Sequence, residues 1–311
     1  MNKTHYQLLI LGSGPAGCTA AIYAARANLN FAMIAGLEQG GQLTKTPKIA
    51  NWPGEPEEIS GALLMEKMIN QVRNFSSNII SDSVIEVDLS KRPFFLKCEN
   101  DEYTCDALII ATGASPKFLG LSSEQKYLGR GVSTCAVCDG FFYKNKDVVM
   151  VGGGNTTAEE ALYLATLAAN VTVVHRRDSM RAEEWLVDQL KSTSNIKFEL
   201  NHIVEEILGD DQGVTGIKIQ DVNSKESKTI KADGVFIGIG HKPNTGLFSG
   251  QLERDNGYIK AGYGPATATS VGGVFVAGDA ISESYHQAII AAGTGCVAAL
   301  DAKSFLDSLQ K

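Results

Sequence analysis

No run of apolar residues in this chain approaches ~18 in length, so no membrane-spanning helix and no membrane partner are expected. Met1 to His5 lack the apolar core of a secretory signal, which points to a cytoplasmic setting. Basic residues are outnumbered: the formal net charge is −7 over 311 residues, which excludes a broad nucleic-acid surface. The one dense basic cluster, His175-Arg176-Arg177 with Arg181 nearby, suits a single phosphate. The five histidines stand far apart, and Cys135 and Cys138 have no second close pair, so no metal site is expected. The six cysteines lack the secretory context of a stapled extracellular fold. Cys18, Cys98, Cys105 and Cys296 lie in apolar helix or strand contexts and read as buried, inert thiols.

What the chain has is glycine at chosen places. Its 32 glycines form no repeat, and the 44% apolar composition is that of a folded chain long enough for two domains. Tyr6 to Leu11 predicts a strand, Pro15 to Ala27 a helix with proline in its first turn, and Phe31 to Ile34 a second strand. Gly61 to Phe75 has helical spacing. Val84–Leu89, Phe94–Cys98 and Tyr103–Cys105 predict a small meander, and Leu108–Ala111 a separate buried strand. A second α/β pattern follows: strand Asp147–Val151, helix Thr156–Ala169 and strand Val171–His175. Further strands are expected at Ile196–Leu200, Val204–Leu208, Val214–Ile219 and Gly234–Ile239. Val274–Ala277 and a helix from Tyr285 to Leu309 close the chain.

The expected fold is α/β, with two Rossmann-like dinucleotide-binding domains. The second is inserted into a discontinuous first: 1–113 and 244–311 form one domain, 114–243 the other. The turn-rich crossings are Ala114–Lys117 and Gly240–Pro243.

Gly12-Ser13-Gly14-Pro15-Ala16-Gly17 stands between a predicted strand and helix. Its glycines allow a sharp turn, an approach to pyrophosphate and close helix packing, and Glu38 has the spacing of a ribose contact. Gly152, Gly154 and Thr157 form the second fingerprint, with threonine where glycine or alanine is usual, which predicts slightly looser helix packing. The strand after it ends in His175-Arg176-Arg177, where an NAD site places an acid; cations there favour the 2′-phosphate of NADPH.

Between the fingerprints lies Cys135-Ala136-Val137-Cys138-Asp139-Gly140. Ser133 and Thr134 are candidate helix caps, which would place Cys135 near a helix N-terminus and favour its thiolate. Asp139 beside Cys138 is either a proton donor and acceptor or a local helix-end acid. Phe141-Phe142-Tyr143 are either core or an apolar surface for a protein partner, and Arg130 sits on a loop before the pair. Two dinucleotide sites and a C-x-x-C describe an electron relay from a nicotinamide through a flavin to a dithiol.

Together these residues resemble the bacterial-type low-molecular-weight thioredoxin reductases over nearly the whole chain. The resemblance rests on Gly12–Gly17, Gly36–Leu43, Asn51-Trp52-Pro53-Gly54, Ala111–Ala114, Cys135–Tyr143, Gly152–Asn155, His175–Asp178 and Gly278-Asp279. It implies one FAD and one NADPH per subunit of a homodimer that reduces thioredoxin. The implied FAD contacts are Gly12 to Gly17, Ala35, Gly36, Leu37, Glu38, Gln39, Gly40, Gly41, Gln42, Asn51, Thr112, Gly113, Gly278 and the segment Asp279 to Ala288, including His286 and Gln287. The implied NADPH contacts are Gly152, Gly154, Asn155, Thr156, His175, Arg176, Arg177 and Arg181. The resemblance assigns Cys138 to the flavin side of the pair, Cys135 to attack on thioredoxin and Asp139 to acid–base work; Arg130, Phe141 and Phe142 flank the pair, where an incoming protein is expected to dock. The resemblance also implies that the inserted domain rotates between half-reactions. His286 departs from the pattern, standing where arginine is expected.

The competing readings are a reductase serving another disulfide carrier, or a dinucleotide-binding redox sensor without turnover. A ferredoxin–NADP reductase of similar architecture would lack the cysteine pair.

Overall fold

The computed structural model describes residues 4–75, 78–282 and 285–309, and the chain divides into two compact units, Met1–Ser115 with Lys242–Lys311, and Pro116–His241. Chain order opens with β1 (Thr4–Leu11), α1 (Pro15–Arg26), β2 (Phe31–Ile34), α2 (Gly61–Phe75) and β3 (Ile79–Ile80). Three strands follow, β4 (Val84–Asp88), β5 (Phe94–Cys98) and β6 (Glu102–Ile110). The sequence predicts two short strands where β6 runs as one. Its first half pairs antiparallel with β5, and Tyr103–Cys105 and Ala107–Ile110 pair parallel with β1, so the strand runs on across Asp106 despite the break in apolar pattern.

At the crossing, β7 (Ala114–Pro116) leads into α3 (Ser122–Tyr127), β8 (Val132–Ser133) and the four-residue α4 (Ala136–Asp139). Then come β9 (Asp147–Gly152), α5 (Asn155–Ala165), β10 (Asn170–His175), α6 (Glu184–Ser192) and β11 (Ile196–Leu200). An antiparallel sheet of β12 (His202–Gly209), β13 (Val214–Asp221) and β14 (Ser227–Lys231) precedes β15 (Gly234–Gly238) and β16 (His241–Pro243), which pairs β7. The parallel sheet of this unit has the order β11-β10-β9-β15-β8, and apolar side chains cover both faces.

The chain then completes the first unit with a small hairpin, β17 (Arg254–Asp255) and β18 (Tyr258–Ile259), then β19 (Val274–Val276) and α7 (Ala288–Ser308). β19 pairs parallel with the last residues of β6, so the sheet runs β3-β2-β1-β6 with β19 and the β5-β4 meander sharing the far edge of β6. Leu8 and Ile10 of β1 face α1, α2 and α7, whereas Leu9 and Leu11 face Phe94, Leu96 and Phe248 on the other side.

Two helix expectations change. The helix expected over Thr156–Ala169 stops at Ala165. The helix expected from Tyr285 starts at Ala288, because Gln287 is extended and caps it. α7 is also 21 residues long and apolar enough, by length and composition, to cross a membrane. A contiguous-run criterion overlooks it because Thr294, Asp301 and Lys303 interrupt the apolar residues. Its inner side packs in the protein: Ala298 and Ala302 are fully buried, and a Cβ on Gly295 would fall 2.1 Å from the Ala16 carbonyl oxygen.

Candidate active site: two nucleotide cradles and a redox disulfide

In the first unit three parallel strands end together. Ala111 N–H donates to Leu11 O and Ala277 N–H to Ile110 O, which sets the exits of β1, β6 and β19 side by side at the carboxyl edge where open α/β sheets bind ligands. Gly12 leaves β1 with φ +116°, and a Cβ there would lie 2.2 Å from Ala111 O; a Cβ on Gly17 would meet Gly12 O at 1.9 Å. Gly14 has open space above it and caps α1. Ser13 Oγ donates to Ala35 O and accepts from Gly40 N–H, stitching the glycine turn to the exit of β2.

A Cβ on Gly278 would lie 3.0 Å from Ala16 Cβ, and burial raises the Asp279 pKa, partly offset by His286. Asn51 and Gln287 meet at 3.5 Å. The Thr112 hydroxyl is buried and finds no hydrogen-bond partner among the described residues. Glu38 and Leu37 are exposed beside this turn. An open glycine cradle, a helix N-terminus and an orphaned hydroxyl fit a dinucleotide such as FAD. Glu283 and Ser284, inside the expected Asp279–Ala288 segment, lie outside the described residues.

The second unit repeats the device. Gly152 leaves β9 with φ +150°, and its Cβ would lie 2.3 Å from Thr157 Oγ1. Thr157 is fully buried. Its hydroxyl donates to Gly238 O at 2.8 Å and accepts from Gly154 N–H at 3.3 Å. The looser packing expected of this threonine is therefore absent: the hydroxyl bridges the glycine turn to the end of β15. A Cβ on Gly153 would fall 2.2 Å from the His175 ring, whose Nε2 is buried without a partner among the described residues, and burial holds its pKa below the ordinary value. Arg176, Arg177 and Arg181 are exposed just beyond, with Thr156 in the first turn of α5. Asn155 has both ends of its amide engaged by Glu183. A glycine cradle followed by three exposed guanidinium groups fits a nucleotide carrying an extra phosphate.

Cys135 and Cys138 are joined, with an S–S distance of 2.12 Å. The helix cap expected of Ser133 or Thr134 falls on Cys135 itself, whose sulfur accepts from Cys138 N–H at 3.2 Å. Ser133 acts one step away: its hydroxyl accepts from Cys135 N–H at 3.0 Å and donates to Cys135 O at 3.3 Å. Burial raises the Asp139 pKa, opposed by the Ser133 hydroxyl. The three aromatics divide. Tyr143 packs edge-on to Phe236, Phe142 sits edge-on to Phe141, and Phe141 is 64% exposed. Val137, between the cysteines, is 47% exposed. Arg130 is exposed and donates to Asp211 O.

Sequence reading passed over Glu160. Its carboxylate accepts from Ala136 N–H, between the cysteines, at 3.3 Å, and burial pushes its pKa up to about 7. The available signal was spacing: Glu160 lies three and four residues from buried Thr157 and Leu164 on α5. An ordinary glutamate titrates near 4.5. Folding therefore gains from the protonated form; that gain is complete below about pH 4.5 and is lost as pH rises through about 7. Glu160→Gln stays neutral and keeps an acceptor for Ala136. Its stability relative to the parent should rise by about 1–3 kcal/mol between roughly pH 5 and pH 8. Parallel denaturation curves for the two proteins across that range would reject this assignment.

A sequence profile described as pyridine nucleotide-disulphide oxidoreductase matches residues 6–295. A thioredoxin reductase of Vibrio cholerae is 54% identical, covering 100% of this chain and 99% of that protein. The chain belongs to the thioredoxin reductases of this family. A solved thioredoxin reductase of Giardia duodenalis, 40% identical, superposes with a TM-score of 0.94 over 98% of this chain and 100% of its own. One relative, 51% identical over 98% of this chain and 97% of its own length, carries another name, the glucosaminate ammonia-lyase of Pseudomonas fluorescens. The reductase is an NADPH-dependent flavoprotein disulfide oxidoreductase, and its cofactors are FAD and NADPH.

Proposed function

We propose that this reductase delivers electrons from NADPH to the disulfide of thioredoxin through Cys135 and Cys138. The observation that carries the reading is the disulfide itself, set in a turn of the same unit as the second glycine cradle. FAD, when bound, supplies a two-electron carrier between NADPH and that disulfide. The residues Gly12–Gly17, Ala35–Gln42, Asn51, Thr112, Gly113 and Gly278–Ala288 hold it. Gly152–Thr156, His175, Arg176, Arg177 and Arg181 hold NADPH.

Once reduced, Cys135 has its sulfur beside the Cys138 N–H, which stabilises a thiolate. Cys135 attacks one sulfur of the partner disulfide and forms a mixed disulfide, releasing the partner's other sulfur as a thiolate. Cys138 then attacks Cys135 Sγ, restores the internal bridge and releases the partner's second thiolate. Asp139, partly buried and with its pKa raised by that burial, supplies and recovers protons. Val137 and Phe141 offer an apolar face to the docking protein, with Phe142 behind and Arg130 at the rim.

The cysteines and the NADPH cradle share the inserted unit, and both must reach a flavin held by the other. We therefore infer that this unit rotates as a body between half-reactions, about the paired crossing strands β7 and β16. Exposed Ile289, Ile290, Val297 and Leu300 on α7, with Tyr23 on α1, support a homodimer, which sedimentation equilibrium decides. A cytoplasmic setting suits a dithiol that must stay reducible.

The deciding assay follows NADPH oxidation with oxidised thioredoxin and a dithiol-sensitive dye. Dye turnover that depends on thioredoxin is expected. Flavin bleaching without turnover would instead mark a sensor. The name of the Pseudomonas relative adds a second arm: ammonia release from glucosaminate. Carbon–nitrogen elimination needs no redox disulfide, so the Cys135–Cys138 bridge favours the reductase.

A further inference from the structure

The segment Arg176–Ala182 joins β10 to α6 without helix or strand, yet it carries all three arginines assigned to the 2′-phosphate. A loose loop of long cationic side chains would lose much freedom on gripping a phosphate, and that loss weakens binding. The near end of this loop is fixed by β10. Its far end is fixed by contacts the sequence did not announce.

Arg181 N–H donates to Gly153 O at 2.7 Å, and Glu183 N–H donates to Asn155 Oδ1 at 2.9 Å. The Asn155 amide returns a bond to Glu183 Oε1 at 3.3 Å, and Trp185 Nε1 donates to Glu183 Oε2 at 2.5 Å. Both Glu183 oxygens and both ends of the Asn155 amide are thus spent on one another and on Trp185. Asn155, Glu183 and Trp185 are all exposed, so the trio is no core network and contributes little to global stability. What it does fix is position: the exit of the arginine loop is locked to the glycine turn at Gly153–Asn155.

We propose that Glu183 is a positioning residue for the 2′-phosphate subsite, clasping the arginine loop onto the second glycine turn through Asn155. The inference rests on the NADPH reading of that cradle. It also makes a counterintuitive demand. Glu183 carries a negative charge in the neighbourhood of a site for phosphate. Through long-range electrostatics alone, removing it would tighten a phosphorylated nucleotide. Through loss of the clasp, removing it loosens one.

The test measures binding of NADP⁺ and of NAD⁺ to the FAD-loaded enzyme by titration calorimetry, so no turnover is involved. Glu183→Ala should weaken NADP⁺ about tenfold, and NAD⁺ by less than about twofold. Asn155→Ala should weaken NADP⁺ by at least as much, because Asn155 also stands in the glycine turn that holds the nucleotide, and the double variant should be no worse than Asn155→Ala alone, because both break the same clasp. Glu183→Gln keeps one acceptor and should fall between parent and alanine. Trp185 emission, assigned by difference from Trp185→Phe because Trp52 also emits, should shift in Glu183→Ala before any nucleotide is added. Unchanged or tighter NADP⁺ binding in Glu183→Ala and Glu183→Gln, equal losses for both nucleotides, or additive losses in the double variant would each overturn the clasp. Should the parent enzyme bind NAD⁺ as tightly as NADP⁺, the NADPH reading itself fails.

Discussion

Cys138→Ser or Cys135→Ser abolishes thioredoxin reduction, with a loss of more than about 10³-fold in turnover. Neither variant can close the internal bridge seen between these residues, so the second thiolate displacement has no nucleophile or no target. Reduction of bound flavin by NADPH survives in both, because hydride transfer uses the nucleotide cradles and no sulfur. The measurement is stopped-flow bleaching of the flavin beside steady-state turnover. Loss of both in folded variants would place the cysteines in the first half-reaction and reverse the proposed order. The serine variants also separate roles. Cys135→Ser puts a hydroxyl, a favoured cap acceptor, where the sulfur caps α4, so its local helix should stay at least as well held as in Cys138→Ser.

Neutralising Arg176 and Arg177 together collapses the preference for NADPH over NADH by about 10²-fold in kcat/KM. Each guanidinium–phosphate contact is worth about 1.5–3 kcal/mol, and both side chains stand exposed, so only part of that is realised. The change should be carried by NADPH, with NADH nearly constant. If both nucleotides lose equally, the arginines serve the shared pyrophosphate or the fold, and the 2′-phosphate assignment is wrong. Glu183 supplies a control at the end of the same loop: among the described residues it makes no ion pair with a guanidinium, yet its loss should move selectivity in the same direction and by less.

Much of this could be read from sequence because the informative positions obey local rules. Gly12 and Gly152 occupy backbone conformations that side chains resist, and each follows a continuous apolar strand, so the two cradles declare themselves. Strand β2 and helix α2 were legible to the residue because their boundaries coincide with changes of pattern. Where the ladder overrides local pattern, reading failed. Asp106 interrupts an apolar run, yet β6 passes straight through it because β1 pairs with the residues on both sides of it. Helix α6 buries only Leu186 and Leu190, too few to announce a helical face, and β14 is an edge strand with mostly exposed residues.

The candidate site shows the same division. The cysteines, glycines and arginines are conspicuous by type and spacing. Glu160 and Glu183 act through partners distant in sequence, Ala136 and Asn155, and a glutamate on a helix or in a loop carries no mark of what it will meet. Thr157 looked like a defect in a fingerprint. Only the fold reveals that its hydroxyl has Gly238 waiting for it.

The pairing of β19 with β6 also dictates an order of birth. On a ribosome, Leu108 to Ile110 emerge long before Val274 to Val276, and the entire inserted unit is synthesised between them. The flavin cradle therefore cannot be complete while the chain is still short. Its third strand exit, with Gly278 and Asp279, is delivered last, whereas the inserted unit has all its residues contiguous and is free to close first. In the nascent chain the unit with the cysteines and the second glycine turn thus precedes the completion of the first cradle, and the edge of β6 beyond β5 must wait, unpaired, for β19.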